Sequence, residues 1–125
     1  MNLKGIVFIT AVVVSTASAR ADTVFWSITN NSPWQVQVEF ENEKGTLQWP
    51  GGDKAYTLFD GTEHTYNLSC HTGDRIKYGA WTVADNHETG LHFWGAGRNM
   101  DEACTNCVAV CGGGDTPPIS LDAPN

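Results

Sequence analysis

The sequence has few basic residues and no long hydrophobic run after Val14. Seven lysines and arginines stand against 14 acidic residues in a chain of 125. Such an excess of negative charge repels phosphate backbones and anionic lipid, so nucleic acid and membrane surfaces are poor partners. No later stretch approaches the roughly 20 apolar residues that span a bilayer, so we expect no membrane insertion.

The sequence also lacks the local motifs of common enzyme classes. It has no phosphate loop, no dinucleotide-binding glycine pattern and no pair of histidines at metal-binding spacing. Ser69 has no nucleophile elbow around it. We therefore expect no cofactor. A glycosidase-like carboxylate pair is conceivable among the acidic residues, but spatial separation defines such a pair and sequence does not give it.

The first 21 residues have the pattern of a secretory signal. Lys4 precedes the apolar run 5–14, and small residues follow, with cleavage expected after Ala19 or Ala21. The alternative is a membrane anchor, but about ten apolar residues are too few. Removing 21 residues, two of them basic, leaves 104 residues with a formal charge of −9. We predict a secreted or periplasmic protein with one domain at 22–114 and a loose tail at 115–125.

Four cysteines remain, Cys70, Cys104, Cys107 and Cys111. In an oxidising compartment we expect two disulfides, and four cysteines allow three pairings that sequence does not distinguish. Because a bridge between residues three apart is usually strained, we favour Cys70–Cys107 with Cys104–Cys111. Chain entropy then predicts a stabilisation of roughly 4 kcal/mol from the long bridge and about 2.5 kcal/mol from the short one.

The cysteines also allow two other interpretations. The three clustered thiols, with Cys70, His71 or His64 as a fourth ligand, are compatible with tetrahedral zinc. Export favours disulfides, because thiols outside the cell oxidise. A Cys-x-x-Cys redox pair is conceivable too, but such a pair normally begins a helix beside a parallel sheet, and we predict neither.

Short alternating segments dominate the chain after the signal. The clearest is 34–41, where apolar residues alternate with Gln and Glu, as in an antiparallel strand with one wet face. The stretch 68–81 reads as a strand, a tight turn at 71–74 and a second strand. Other strands are predicted at 23–29, 46–49, 55–59, 64–70 and 91–94, with 23–49 as a three-strand meander and Asp60-Gly61 as a hairpin turn. This pattern predicts an all-β domain, a single antiparallel β-sandwich or barrel-like fold with a disulfide-stapled C-terminal loop.

Five tryptophans are the other unusual feature. Trp26 and Trp34 fall on apolar strand faces and are expected in the core. Trp49, Trp81 and Trp94 are candidates for a partly exposed aromatic platform, because flat rings with polar edges bind sugars or peptide side chains at low entropic cost. The alternative is that these three fill the second sheet face or pack on the disulfides.

Several motifs resemble those of a group of small exported bacterial proteins without an assigned function. They are Asn31-Ser-x-x-x-Val-x-Val, Trp49-Pro-Gly-Gly, Leu68-Ser-Cys-x-x-Gly-Asp-x-Ile-x-Tyr-Gly-Ala-Trp81, Trp94-Gly-x-Gly97 and the final cysteine cluster. The resemblance implies further cysteines where this chain has Lys77 and Val108. It therefore predicts one missing bridge and a strand at 77 that packs against 108. The group supplies no activity.

Three functional hypotheses follow. The first is a secreted non-catalytic binding or structural module whose ligand, a glycan or another protein, meets the face with Trp49, Trp81 and Trp94. The second is a small secreted hydrolase that uses Asp and His from the loops at 60–64, 71–74 and 85–88, with His71 and Asp74 as the residues to test. The third is a secreted inhibitor or toxin, which has the same sequence features as the first.

Overall fold

The computed structural model describes residues 21–83, 92–114 and 116–123, and within these ranges the chain forms strands and no helix. Residues 1–20 of the predicted signal peptide and the loop around His87 therefore lie outside the described residues. In chain order the strands are β1 Ala21–Asn30, β2 Val36–Asn42, β3 Gln48–Trp49, β4 Tyr56–Leu58, β5 Glu63–His71, β6 Arg75–Thr82, β7 Phe93–Gly95, β8 Val108–Val110 and β9 Ile119–Leu121. Among the described residues no helix is long and apolar enough to cross a membrane.

The strands form two sheets that pack face to face. The smaller sheet has the order β5-β1-β9, and the larger has the order β3-β2-β6-β7, with β4 also on β2 and β8 also on β6. All pairs are antiparallel except β1 with β9. The prediction of an all-β fold is confirmed, and the arrangement is a sandwich rather than a closed barrel.

The core lies between the sheets and is built from alternate residues of the long strands. Trp26 in β1 and Phe40 in β2 are almost fully buried, and their ring centroids are 5.5 Å apart. Tyr66 and Tyr78 extend this cluster from β5 and β6, at 5.1 Å from Phe40 and 5.7 Å from Trp26 respectively. Period-two burial of large rings from both sheets holds the sandwich together.

The stretch 68–81 carries the chain from one sheet to the other. Its turn is closed by the Asp74 amide, which donates to the carbonyl of His71 at 2.9 Å, and Gly73 adopts a φ of 90° there. A positive φ of this kind favours glycine. The predicted strand, turn and strand are confirmed, although β5 and β6 pair with different neighbours.

The predicted meander at 23–49 is wrong, because β1 and β2 belong to different sheets. The buried side chain of Asn30 donates to the carbonyls of Trp34 at 2.7 Å and Leu58 at 3.1 Å. These bonds fix a crossover between the sheets in place of a hairpin. Asp60-Gly61 is likewise a turn between the sheets, since β4 lies in the larger sheet and β5 in the smaller.

The predicted loose tail is also corrected. Ile119–Leu121 forms β9 parallel to the end of β1, and Leu121 is completely buried. The hydroxyl of Ser120 strengthens this edge by accepting a hydrogen bond from the side-chain Nδ2 of Asn31. The prolines before β9 favour a loose segment in the sequence, and a strand of only three residues is too short to show a period against them.

The disulfides join Cys70 to Cys111 and Cys104 to Cys107, so the favoured pairing is wrong. The reason is β8, which pairs Lys77 with Val108 and Arg75 with Val110 and so delivers Cys111 to the turn after β5. There the amide of Gly73 donates to the carbonyl of Cys111 at 3.0 Å. The expected packing of position 77 against 108 is confirmed by the same register.

Candidate functional site: a polar cleft on the outer face of the larger sheet

The outer face of the larger sheet holds a polar cleft of about 390 Å³. Its floor is formed by Gln37, Glu39 and Trp81, which are opposite or neighbouring positions of β2 and β6 that point away from the core. The loop 52–55 forms one wall, and Arg98 and Asn99 form the other. We call this the outer cleft.

A close backbone approach brings the second wall over the sheet. The amide of Ala96 donates to the carbonyl of Tyr78 at 2.8 Å, which folds the chain back across β6. A Cβ at Gly79 would overlap the carbonyl oxygen of Gly97 and lie 2.6 Å from Sδ of Met100. Only glycine at position 79 lets the loop rest here, and Arg98 and Asn99 are thereby placed beside Trp81.

Trp81 is the only one of the three predicted platform residues in the outer cleft. Its indole Nε1 donates to Oε1 of Gln37 at 3.0 Å, and its side chain is 6% exposed. The ring is thus a fixed floor that presents little open surface. Its neighbour across the strands, Phe93, is 50% exposed and supplies the open aromatic ring on this face.

Trp49 and Trp94 lie on the opposite side of the sheet from Trp81. Trp49 pairs with Phe40 and Trp94 with Ala80, both core-facing positions, and both tryptophans pack half-buried against the core. The indole of Trp94 also donates to the carbonyl of Asp122 at 3.0 Å. The prediction that the three rings share one surface is therefore wrong.

The polar groups of the outer cleft are free to bind. Among the described residues, the side chains of Gln48, Asp53, Lys54, Arg98 and Asn99 make no hydrogen bond or ion pair. Two cations, two carboxylates and three amides are gathered there when Glu39 and Gln37 are included. A neutral ligand with many hydroxyl groups can use both signs at once.

Glu39 is the carboxyl on the floor of the outer cleft. Burial raises the pKa of its carboxyl above the ordinary value, and the adjacent charge of Glu41 adds to the rise. Since no described donor offsets the loss of water, a ligand hydroxyl that donated to this carboxylate would satisfy it. The only sequence signal for a role of Glu39 was its position on the solvent-facing side of β2.

Of the residues proposed for a hydrolase, His71 and Asp74 share the turn after β5, but no hydrogen bond or ion pair joins their side chains. His64 and His71 lie seven residues apart along β5, which is about 23 Å in an extended strand. Asp74 faces Lys44 at 4.0 Å instead of a histidine. His87 lies outside the described residues.

The cysteines are all paired, so none is available as a ligand in this state. Among the residues that the structure describes, no group of three or more His, Cys, Asp or Glu side chains is placed to hold a metal ion.

Sequence reasoning missed Glu39, Asp53, Arg98 and Asn99 as site residues. The available signals were the Gln and Glu alternation of β2 and the two glycine-containing loops, 50–53 and 95–97. Neither signal says that both loops fold onto the same sheet face.

No protein-family model, curated protein or solved structure matches this chain, so its function has to be inferred from the geometry of the outer cleft.

Proposed function

We propose that this chain is an exported, non-catalytic binding module that takes a neutral glycan in the outer cleft. The observation that carries the proposal is the set of hydrogen-bonding side chains around one cleft without partners in the described part of the protein. Hydroxyl groups of a sugar both donate and accept, so they match carboxylates, amides and cations together. Export is supported by the signal-like first 21 residues and by two disulfides.

Size and aromatic surface support the same ligand class. A volume of about 390 Å³ lies in the range usual for small-ligand clefts. The exposed ring of Phe93 stands next to Trp81 and offers an apolar face for the C–H side of a sugar. Near balance of charge inside the cleft argues against strongly charged ligands, even though the whole chain is acidic.

A glycan array followed by calorimetry on the best glycan tests the proposal. Removing Arg98 deletes a charge-assisted hydrogen bond, so Arg98→Ala should weaken binding about tenfold or more. Phe93→Ala should weaken it as well, through lost ring contact. Lys44→Ala is the matched control, because it removes one positive charge from an exposed site outside the cleft and should leave affinity unchanged. Absence of any glycan ligand, or binding unaffected by Arg98→Ala in a folded variant, would refute the proposal.

A glycoside hydrolase is the second candidate, because Glu39 and Asp53 line the same cleft. A carboxyl with a raised pKa suits a general acid, and a second carboxylate suits a base or nucleophile. Under this alternative, the array hit is cleaved by the native protein, and Glu39→Gln abolishes cleavage while retaining binding. A glycan that is bound and never cleaved leaves the binding module as the function.

A further inference from the structure

The strand β5 forms one edge of the smaller sheet along its whole length. It pairs with β1 over nine residues, and its other side has no strand beside it in the described part of the protein. The other outer strands, β3, β4, β7, β8 and β9, have only two or three residues each. The part of β1 that β9 leaves open is partly covered, because Gly112 and Thr116 donate to the carbonyls of Thr23 and Phe25. β5 is therefore the long open edge of this fold, and such an edge is a template for another strand.

Alternate residues of β5 direct their backbone groups to the open edge. The amide of Asn30 donates to the carbonyl of Thr62 at 2.8 Å, and hydrogen-bonded pairs alternate along an antiparallel ladder, so the even-numbered residues of β5 bond to β1. The residues whose amides and carbonyls face outward are Glu63, Thr65, Asn67 and Ser69. No backbone bond to any of these groups comes from another described residue, which leaves them to solvent or to a further strand.

β5 has none of the features that usually prevent pairing at a sheet edge. Protected edges carry lysine, proline or a bulge. The sequence of β5 contains neither lysine nor proline, and its register with β1 is continuous. On the solvent-facing side of the strand, the side chains between Glu63 and His71 are small or polar and uncharged. The edge can therefore accept a strand with a similar polar face.

Two copies of β5 are complementary when they run antiparallel with Asn67 opposite Asn67. This register overlaps the whole strand, because Asn67 is the central residue of 63–71. It places Thr65 of one copy opposite Ser69 of the other. It also places Glu63 opposite His71 at both ends, and all five of these residues are exposed on one face of the sheet. Hydroxyl pairs and pairs of opposite charge across two strands stabilise their association.

We infer that the protein forms a two-fold symmetric homodimer through the edges of β5, in the register centred on Asn67. The three-stranded sheets of the two copies join into one continuous sheet, and the outward amides and carbonyls of β5 become paired. β5 shares no lining residue with the outer cleft. The dimer therefore forms whether or not that cleft binds a glycan.

Sedimentation equilibrium of the disulfide-bonded protein tests the dimer at physiological salt, which screens the net negative charge of the two copies. The average mass should rise from monomer towards dimer as the protein concentration increases to about 1 mM. Asn67 is exposed, so Asn67→Lys should fold normally. It places two ammonium groups opposite each other at the two-fold axis and should raise the dissociation constant about fivefold or more. Thr57→Lys is the matched control, because it adds the same charge at an exposed position of β4 and should leave the dissociation constant unchanged.

Cysteine cross-linking tests the register of the two strands. Directly opposite residues of a hydrogen-bonded pair have Cα atoms about 5.5 Å apart, which suits a disulfide, so Asn67→Cys should give a covalent dimer on mild oxidation. Thr65→Cys alone should not, because the two copies of residue 65 are offset by four positions, about 14 Å. A mixture of Thr65→Cys and Ser69→Cys should cross-link. A monomer at about 1 mM protein, a dissociation constant unchanged by Asn67→Lys, or cross-linking of Thr65→Cys as readily as Asn67→Cys would each overturn the inference.

Discussion

The hydroxyl of Tyr66 is a buried polar atom without a partner in the described part of the protein. Its ring packs against Phe40 at 5.1 Å and Tyr56 at 4.8 Å, so the apolar body is well placed while the oxygen is not satisfied. Tyr66→Phe should therefore leave the free energy of unfolding unchanged or raise it by about 1 kcal/mol. Urea denaturation at neutral pH measures this, with Thr65→Ala, an exposed change on the same strand, as the control. A loss of stability would mean that the hydroxyl has an acceptor after all.

Tyr66 also lowers the free energy of unfolding at alkaline pH. Burial, with a smaller contribution from Tyr56, raises the pKa of Tyr66 from 10.0 to about 12. The unfolded chain therefore loses this proton before the folded chain does, so stability is full below pH 10 and declines as pH rises towards 12. Tyr66→Phe should remove on the order of 2–3 kcal/mol of that decline. Equal slopes for native protein and variant in this window would contradict the assignment.

Asn30 illustrates the opposite case, a buried polar side chain with every bond made. Besides its two donated bonds, its Oδ1 accepts from the amide of Ser32 at 3.0 Å and from its hydroxyl at 2.6 Å. Asn30→Ala removes the side-chain hydrogen bonds to the carbonyls of Trp34 and Leu58 and leaves the amide and hydroxyl of Ser32 without their acceptor, so the free energy of unfolding should fall by about 3 kcal/mol or more. Chemical denaturation checks this against Asn67→Ala, an exposed asparagine of β5 that should cost under about 0.5 kcal/mol.

At the scale of elements, β9 tests whether the C-terminal segment belongs to the fold. Leu121 is completely buried beside the end of β1, whereas Ser120 is exposed. Leu121→Ala should lower the free energy of unfolding by about 2–5 kcal/mol through lost burial and a residual cavity. Ser120→Ala should change it by less than about 1 kcal/mol. Similar effects of both changes would show that β9 does not pack as described.

The elements also show where sequence reasoning succeeds. The strands β1 and β2 alternate between buried and more exposed residues over seven residues, and β5 does so over residues 66–71, so their period is visible in sequence. β6 alternates less, because residues 78–82 are all buried. β8 and β9 were missed because they have three residues each and lie in segments rich in cysteine, glycine and proline, where no alternation marks a strand. Strand partners were predicted poorly. The alternation of apolar and polar residues shows which face of a strand is buried, but it does not show which sheet the strand joins.

The candidate site was predicted in part for the same reason. Alternation along β6 correctly places Trp81 on the side with Lys77 and Gly79. The sides taken by Trp49 and Trp94 depend on their registers with Phe40 and Ala80, which sequence does not contain. The walls of the outer cleft depend on two loops that meet only after the sheet has formed.

At the scale of the whole molecule, the two disulfides differ in what they constrain. Cys70–Cys111 joins residues 41 apart in sequence and links β5 to the segment after β8, whereas Cys104–Cys107 spans a separation of three. Chain entropy predicts a loss of about 4 kcal/mol when Cys70 and Cys111 are both replaced by serine, and of about 2 kcal/mol for Cys104 and Cys107. Thermal unfolding of the two double variants ranks the two disulfides by the stability that each contributes.

Non-reducing peptide mapping of the native protein checks the pairing itself, and a Cys70–Cys107 peptide would contradict it.

The parallel pairing of β9 with the end of β1 also places Ala21 and Leu121 at opposite ends of β1. Ala21 starts β1, and Leu121 lies beside Asn30 at its other end, so the two points are separated by the length of the strand, about 30 Å. Fluorophores attached at Ala21 and at residue 123 should therefore transfer energy as a well-separated pair. A connector that joined residue 123 back to Ala21 would need roughly ten residues, because it has to run back along the length of β1.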